Sequence, residues 1–261
     1  KDHCLPILRS EIWNGFVFVN LNGRARPLAL RLKTLTKEIE NYQLAALATT
    51  TPVDYPNNPW NWKWMQENGL EPYHTPVAHK GSHDVAPVHQ AAFPEWDDED
   101  DGAIFYKTRF IHIDGNFNET QKCLFPIMTT LSEEDRWHVL FGVIPPNLLI
   151  TTLPDSAFYF ITQPQGANSI TLRVGFLFPE STLERPDFEE TFERAIDGFS
   201  AVNEEDIRAN VSVHKGRGSR FANRGRIAPL EMPMVHLNHW FVTRYRAFIA
   251  EHEQRERAAT G

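Results

Sequence analysis

Between residues 103 and 179 the chain carries five runs rich in β-branched and aromatic residues. They are AIFYKTRFIHID (103–114), WHVLFGVI (137–144), NLLITTL (147–153), AFYFITQP (157–164) and SITLRVGFLFP (169–179). Runs of this kind, most of them joined by short links, read as antiparallel strands pairing in sequence order. RPDFEETFERAIDGFSAVNEEDIRANVSV (185–213) follows, with Phe188, Phe192, Ala195, Phe199 and Val202 at spacings of three and four. That spacing predicts a long amphipathic helix. A second helix is predicted over 230–257. Strands followed by long helices, rather than alternating with them, predict one α+β domain with helices packed on an antiparallel sheet. No repeat and no second core is visible, so 1–261 reads as a single domain.

Upstream, EIWNGFVFVNL (11–21) reads as a strand entering a turn at Asn22-Gly23. PLALRLKTLTKEIENY (27–42) reads as a helix, and LAALATTTPVDY (44–55) as a strand. NPWNWKWMQ (58–66) alternates aromatic and polar residues, which predicts a strand with Trp60, Trp62 and Trp64 used for packing. Residues 80–102, which include EWDDEDDG, His83 and His89, read as a mobile acidic loop.

The net charge of −8 argues against nucleic acid as a partner. The longest apolar run, HVLFGVIPPNLLITTL, is short and is split by Pro145 and Pro146, so no membrane span is expected. Two cysteines, Cys4 and Cys123, make a disulfide framework improbable and fit a reducing cytoplasm. The chain opens KDHCLPILRS, with neither an initiator Met nor a leader, and reads as part of something longer.

ENGLEPYHTPVAH (67–79) concentrates metal-capable side chains around two prolines. On a helix Glu67, Glu71 and His74 would share a face. His79 lies five beyond His74, about 140° away on an ideal helix, so the two imidazoles could not meet on one ion. Pro72 and Pro76 supply the remedy, because they let the segment kink and swing His79 back beside His74. Two histidines and one carboxylate with open positions suit ferrous iron that binds oxygen. Asp206 continues the apolar stripe, seven after Phe199 and four after Val202, and a carboxylate there is costly unless paired or bound to metal. Glu204 and Glu205 fall off the stripe and read as solvated. Asp197 is the fallback ligand. A competing motif is His112-x-Asp114 with His236, the pattern of 2-oxoglutarate oxygenases.

Three segments carry a family resemblance. NWKWMQENGLEPYHTPVAHKGS resembles the iron-site segment of Rieske non-haem iron oxygenase α subunits. CLPILRSEIWNGFVFVNLNGRARPL resembles the junction out of that family's Rieske domain, which assigns residues 1–25 to a junction strand. VNEEDIRANVSVHKGRGSRFANRGRIAPLEMPMVHLNHWF resembles its C-terminal segment. The resemblance implies a helix-grip sheet, of the START and Bet v1-like kind, closing a hydrophobic pocket. It implies mononuclear Fe(II) on His74, His79 and Asp206. Glu71 takes the place of the acid that links a neighbouring subunit's cluster to the iron, and Asn68 that of the amide beside the metal. It further implies hydroxylation of an apolar, aromatic or heteroaromatic substrate by O2, ferredoxin and reductase as electron donors, and a homotrimer. Oxidative demethylation, attack on a quaternary amine, and a non-catalytic ligand-binding role remain open alternatives. Two departures stand out. The bridging acid is often Asp, and here it is Glu. The Cys-x-His and Cys-x2-His pairs that hold a Rieske [2Fe–2S] cluster are missing, so that cluster is expected outside this chain.

Overall fold

The computed structural model describes residues 7–81, 83–95, 102–223 and 225–260. A small antiparallel hairpin comes first, β1 (Arg9–Trp13) and β2 (Phe16–Asn20). The main sheet comprises β3 (Ala48–Thr49), β4 (Val53–Asn58), β5 (Ala91–Ala92), β6 (Ile104–Arg109), β7 (His138–Ile144), β8 (Leu148–Thr152), β9 (Ala157–Gly166) and β10 (Ser169–Phe178). Its order is β3-β10-β9-β8-β7-β6-β5, with β4 also on β10. From β5 to β10 each strand pairs antiparallel with the next. The helices are α1 (Leu28–Arg31), α2 (Lys33–Glu38), α3 (Trp62–Asn68), α4 (Thr75–Ala78), α5 (Glu180–Leu183), α6 (Phe188–Arg217) and α7 (Met232–Thr260).

Both faces of the sheet are covered, which explains why its strands read as almost continuously apolar. Successive residues of a strand point to opposite faces. Leu148 and Ile150 of β8 pack with Leu32, Leu35 and Tyr42 from the N-terminal segment. Leu149 between them packs with Trp60, Met65 and Phe241. Phe199 of α6 seats on the same face, with ring centroids 5.4 Å from Phe158, 5.7 Å from Phe160 and 5.1 Å from Phe176. The result is an α+β fold in which an antiparallel sheet grips long C-terminal helices. No helix among the described residues is long and apolar enough to cross a membrane.

Several boundaries differ from the expected ones. Residues 11–21 belong to a hairpin rather than one strand. Its turn is Asn14-Gly15, both at positive φ (47° and 85°), a reversal that Asn-Gly favours. The helix expected over 27–42 breaks into α1, α2 and a 3-10 turn at Glu40–Tyr42. The stretch 44–55 holds a 3-10 turn at Leu44–Ala46, β3 and only the start of β4. NPWNWKWMQ is not a strand. Asn61 caps α3 there by accepting from the Lys63 backbone N–H at 3.1 Å. Alternation misled because Trp60, Trp62 and Trp64 all meet apolar neighbours. Residues 80–102 are not simply a loop. Val85 and Ala86 are buried against Phe110, Val139 and Leu153, and Ala91–Ala92 joins the sheet. The acidic run at 97–101 lies outside the described residues.

Gly175 sits opposite Tyr159 in the β9–β10 ladder, and a Cβ there would meet the Tyr159 ring. That ring packs edge-on against Phe16 of the hairpin at 5.1 Å. Gly175→Ala is therefore expected to push Tyr159 off Phe16 and cost about 1–3 kcal/mol. A urea titration checks this, with a lower midpoint and an unchanged slope expected.

Candidate metal centre

The two imidazoles meet because the backbone changes form twice between them. α3 stops at Asn68, and Gly69 caps it. Glu71 then caps a 3-10 turn, Pro72–His74, its Oε2 accepting from the His74 backbone N–H at 3.0 Å. α4 follows, with Pro76 in its first turn, where the missing N–H is harmless. Thr75 is helical in spite of the proline after it (φ −58°, ψ −40°), contrary to the expectation that Pro76 would unwind it. The break lies earlier, at 69–71. That break precedes both histidines; between them the 3-10 turn gives way to α4 at Thr75 and α4 ends at Ala78, and their rings lie at a centroid distance of 5.0 Å. Glu67 stays on α3 and does not join them. It accepts instead from Asn238 of α7 at 3.4 Å.

Three lone-pair donors converge. His74 Nε2 lies 3.2 Å from His79 Nε2, and Asp206 Oδ1 lies 3.4 Å from the first and 3.0 Å from the second. Each imidazole is held from behind by a carboxylate. Glu71 Oε1 stands 2.7 Å from His74 Nδ1, and Glu205 Oε2 stands 2.8 Å from His79 Nδ1. An ionised carboxylate only accepts, so both Nδ1 atoms carry protons, and in the neutral rings both Nε2 atoms are bare. Asn68 Nδ2 donates to Asp206 Oδ1 at 3.0 Å and lies 3.3 Å from His74 Nε2. Two bare nitrogens and a carboxylate oxygen facing one another need a cation between them. Among the described residues this is the one such group of His, Cys, Asp and Glu.

The electrostatics agree. Burial alone would push the His74 imidazole down, but its hydrogen bonds to Asp206 and Glu71 outweigh that and push it up to about 10. His79 also moves up, its burial outweighed by Asp206 and Glu205. Burial would push Asp206 up, yet the two histidines hold it well below the usual carboxylate range. A field that favours a proton this strongly favours any cation. The donor set fits a divalent metal through His74, His79 and Asp206, with a carboxylate behind each imidazole fixing its tautomer.

The cluster opens into a cavity of about 120 Å³. Phe117, Phe141, Phe158, Phe160, Phe176 and Phe199 are among its walls, and among the described residues no Lys or Arg lines it. Asp155, buried in the same wall, accepts from the backbone N–H groups of Leu124 and Phe125, both at 3.2 Å, from Ser156 Oγ at 2.9 Å and from Asn116 Nδ2 at 3.2 Å. Burial raises its pKa.

The structure thus brings together His74, His79, Asp206, Asn68 and Glu71. It does not bring in Asp197, which is exposed on α6. The 2-oxoglutarate motif does not form. Residues 112–114 lie beyond the end of β6, and Asp114 is tied by two bonds to Arg136 at 2.8 and 2.6 Å. Glu205, expected in solvent, backs His79. It lies about 100° from Asp206 around the helix, close enough for a long side chain to reach the cluster from the side. His83, assigned to the mobile loop, lines the cavity instead, and burial pushes its imidazole down to about 3. Its position one helical turn after His79 was the available signal. His89 is exposed, as a loop residue would be.

Glu205→Ala should leave the three converging atoms in place but free the His79 ring to turn. The expected loss of metal affinity is about 10- to 100-fold, read by competition with a chelator, with the fold intact by circular dichroism.

Residues 42–247 match the family described as ring hydroxylating alpha subunit (catalytic domain). No curated protein sequence matches the chain. Among solved structures it is similar to a quaternary ammonium Rieske monooxygenase, linked in its description to carnitine oxidation by gut microbiota. The two share 18% identity at a TM-score of 0.71, over 91% of this chain and 62% of that one. Dicamba monooxygenase bound to dicamba gives 12% identity and a TM-score of 0.58, over 93% and 70% of the two chains. The oxygenase of a carbazole 1,9a-dioxygenase–ferredoxin complex gives 16% and 0.52, over 88% and 62%. At these identities the likeness is one of fold, and the chain spans under two thirds of the length of the first of them. The family match itself runs through the helix break, the imidazole pair and Asp206, and the chain belongs to the ring-hydroxylating α-subunit catalytic-domain family.

Proposed function

We propose that this chain is the oxygen-activating domain of a Rieske-type oxygenase, an oxidoreductase that hydroxylates an apolar aromatic or heteroaromatic substrate. One observation carries the reading. His74 Nε2, His79 Nε2 and Asp206 Oδ1 converge within 4.8 Å of one another on the wall of a phenylalanine-lined cavity. Two imidazoles and one carboxylate with open positions suit ferrous iron better than a closed zinc site. Ferrous iron bound there supplies dioxygen activation. The protein's own part is to orient the ligands, keep water scarce and hold the substrate. Glu71 and Glu205 fix the ring planes, Asn68 steadies Asp206 by a donated hydrogen bond, and the phenylalanines exclude water.

Electron supply comes from partners. Glu71 holds His74 Nδ1, and Tyr73 and Val77 of the same short segment are exposed. A donor docked on that face would be coupled to the imidazole through the carboxylate. The donor in this reading is a Rieske [2Fe–2S] cluster on a neighbouring subunit of a homotrimer, itself reduced by ferredoxin and reductase. Residues 1–25 then form the junction with the Rieske domain, and the protein works in the cytoplasm.

A second reading, oxidation of a quaternary amine, has one observation in its favour. Aromatic faces and a buried carboxylate, Asp155, with no Lys or Arg among the described residues of the lining, also suit an ammonium group. The relative with the TM-score of 0.71 is named for such substrates.

Anaerobic loading with ferrous salt followed by elemental analysis tests the centre. One iron per chain is expected, falling to background in the His74→Ala, His79→Ala double variant. Asp206→Ala should also weaken binding, and Asp206→Asn should weaken it less. Undiminished iron in the double variant would place the metal elsewhere.

Glu71→Gln separates electron supply from metal binding. Iron content should be retained. Turnover in the full-length enzyme with NADH, ferredoxin and reductase should be abolished, because the amide no longer accepts from His74 Nδ1 as a carboxylate does. Normal turnover would remove Glu71 from the mechanism.

A further inference from the structure

His83 is the third histidine of the segment, and it stands apart from the converging three. Its ring lies 4.5 Å from that of His79 at 32°, and 4.4 Å from that of Phe117 at 25°. Two near-parallel contacts hold the ring plane. Phe141 stacks further off, at 6.4 Å and 24°. The backbone N–H of His83 is bonded to the His79 carbonyl at 3.0 Å. Among the described residues, no hydrogen bond reaches either ring nitrogen. The residue lines the cavity onto which His74, His79 and Asp206 face.

A phenylalanine would stack on Phe117 equally well. A neutral imidazole carries one donor and one acceptor. In an apolar wall, leaving them unmade costs free energy. The arrangement is stable in the working enzyme if the cavity's occupant completes the bond. Binding cavities of this kind are mostly apolar, with a few polar groups that fix orientation. The volume, about 120 Å³, is of the same order as the roughly 150 Å³ engineered cavity that accepts benzene. Two of the other polar groups are already committed. Asp155 is saturated by four donors, and Asn68 is turned to Asp206 and His74.

We propose that His83 is a specificity-determining residue. Its imidazole makes one hydrogen bond to the polar substituent of an otherwise apolar, uncharged ring. The substrate class is then a small aromatic bearing a hydroxyl, an amine or a ring heteroatom, in preference to a plain hydrocarbon. The inference rests on the cavity being the substrate site. A site built around a hydrogen bond rejects the analogue that lacks it more strongly than a greasy pocket rejects a change of size. A quaternary ammonium group has no N–H or lone pair to offer and would leave His83 unsatisfied.

The test uses phenol and toluene, matched in size and differing in one hydrogen-bonding group. Affinities are measured by calorimetry, without oxygen, on the iron-loaded full-length protein and its variants. The phenol-to-toluene affinity ratio should fall roughly three- to tenfold in His83→Phe. His83→Leu should show the same fall and serves if the phenylalanine does not fit. His83→Gln, which keeps a donor and an acceptor, should retain most of the ratio. Because each protein is compared with itself, a general loosening of the cavity cancels. A ratio unchanged in both apolar variants would overturn the role of His83 and leave the cavity standing as a binding site. Failure of both ligands to bind the wild-type protein would overturn the cavity itself, and the inference with it.

Discussion

His74 and His79 turn their Nε2 atoms toward one another because carboxylates occupy the other side of each ring. That geometry sets demands on elements far apart in sequence. Glu71 also caps the turn by accepting from the His74 backbone N–H, which is free to donate because the helix breaks between Asn68 and Pro72. Glu205 and Asp206 are neighbours on α6, yet one backs His79 and the other faces both rings. Adjacent residues of a helix point about 100° apart, so only a narrow range of rotation of α6 meets both conditions. Phe199, two turns earlier, sets that rotation by seating among Phe158, Phe160 and Phe176. The aromatic stripe that packs the fold is therefore also the device that aims the acid.

Charge explains why the cluster reads as a cation site rather than a hydrogen-bond network. Glu71, Glu205 and Asp206 surround two imidazoles that are neutral when only Nδ1 carries a proton. Asn68 supplies a dipole but no charge. A proton eases the repulsion when nothing else is bound, and the carboxylates push both imidazoles up. A divalent ion bound at the Nε2 atoms would do the same from the centre while leaving each Nδ1–H on its carboxylate. The residues backing the imidazoles do not have to rearrange for that exchange.

What the sequence made legible follows from how local each signal is. Phe188, Phe192, Phe199 and Val202 lie on one helical stripe, so the phase of α6 and the place of Asp206 could be read from spacing alone. The strands of the middle were legible for the same reason, although cover on both faces hid their alternation. Glu205 was not, because its role depends on side-chain length and on what lies beside the stripe. Trp60, Trp62 and Trp64 imitated a strand, since a helix end buried on several sides shows no polar face. The Asn14-Gly15 turn carried a plain signal, but Asn22-Gly23 a few residues on offered a competing one. The two prolines pointed to the juxtaposition of His74 and His79, although Thr75 stays helical and the break at Gly69–Glu71 precedes both residues.

His79 belongs to two assemblies at once. Its Nε2 faces the proposed metal, and its ring face lies along His83, which lines the cavity. With Nδ1 held by Glu205, the ring has no freedom to turn. A substrate gripped through His83 would thus be registered against the metal by a single side chain, without an intervening loop or hinge. Reactions at one carbon of a ring need that registration, because an error of about 1 Å in the placement of reacting atoms costs around 100-fold in rate. Placing the third histidine one turn after the second achieves this with four residues of chain.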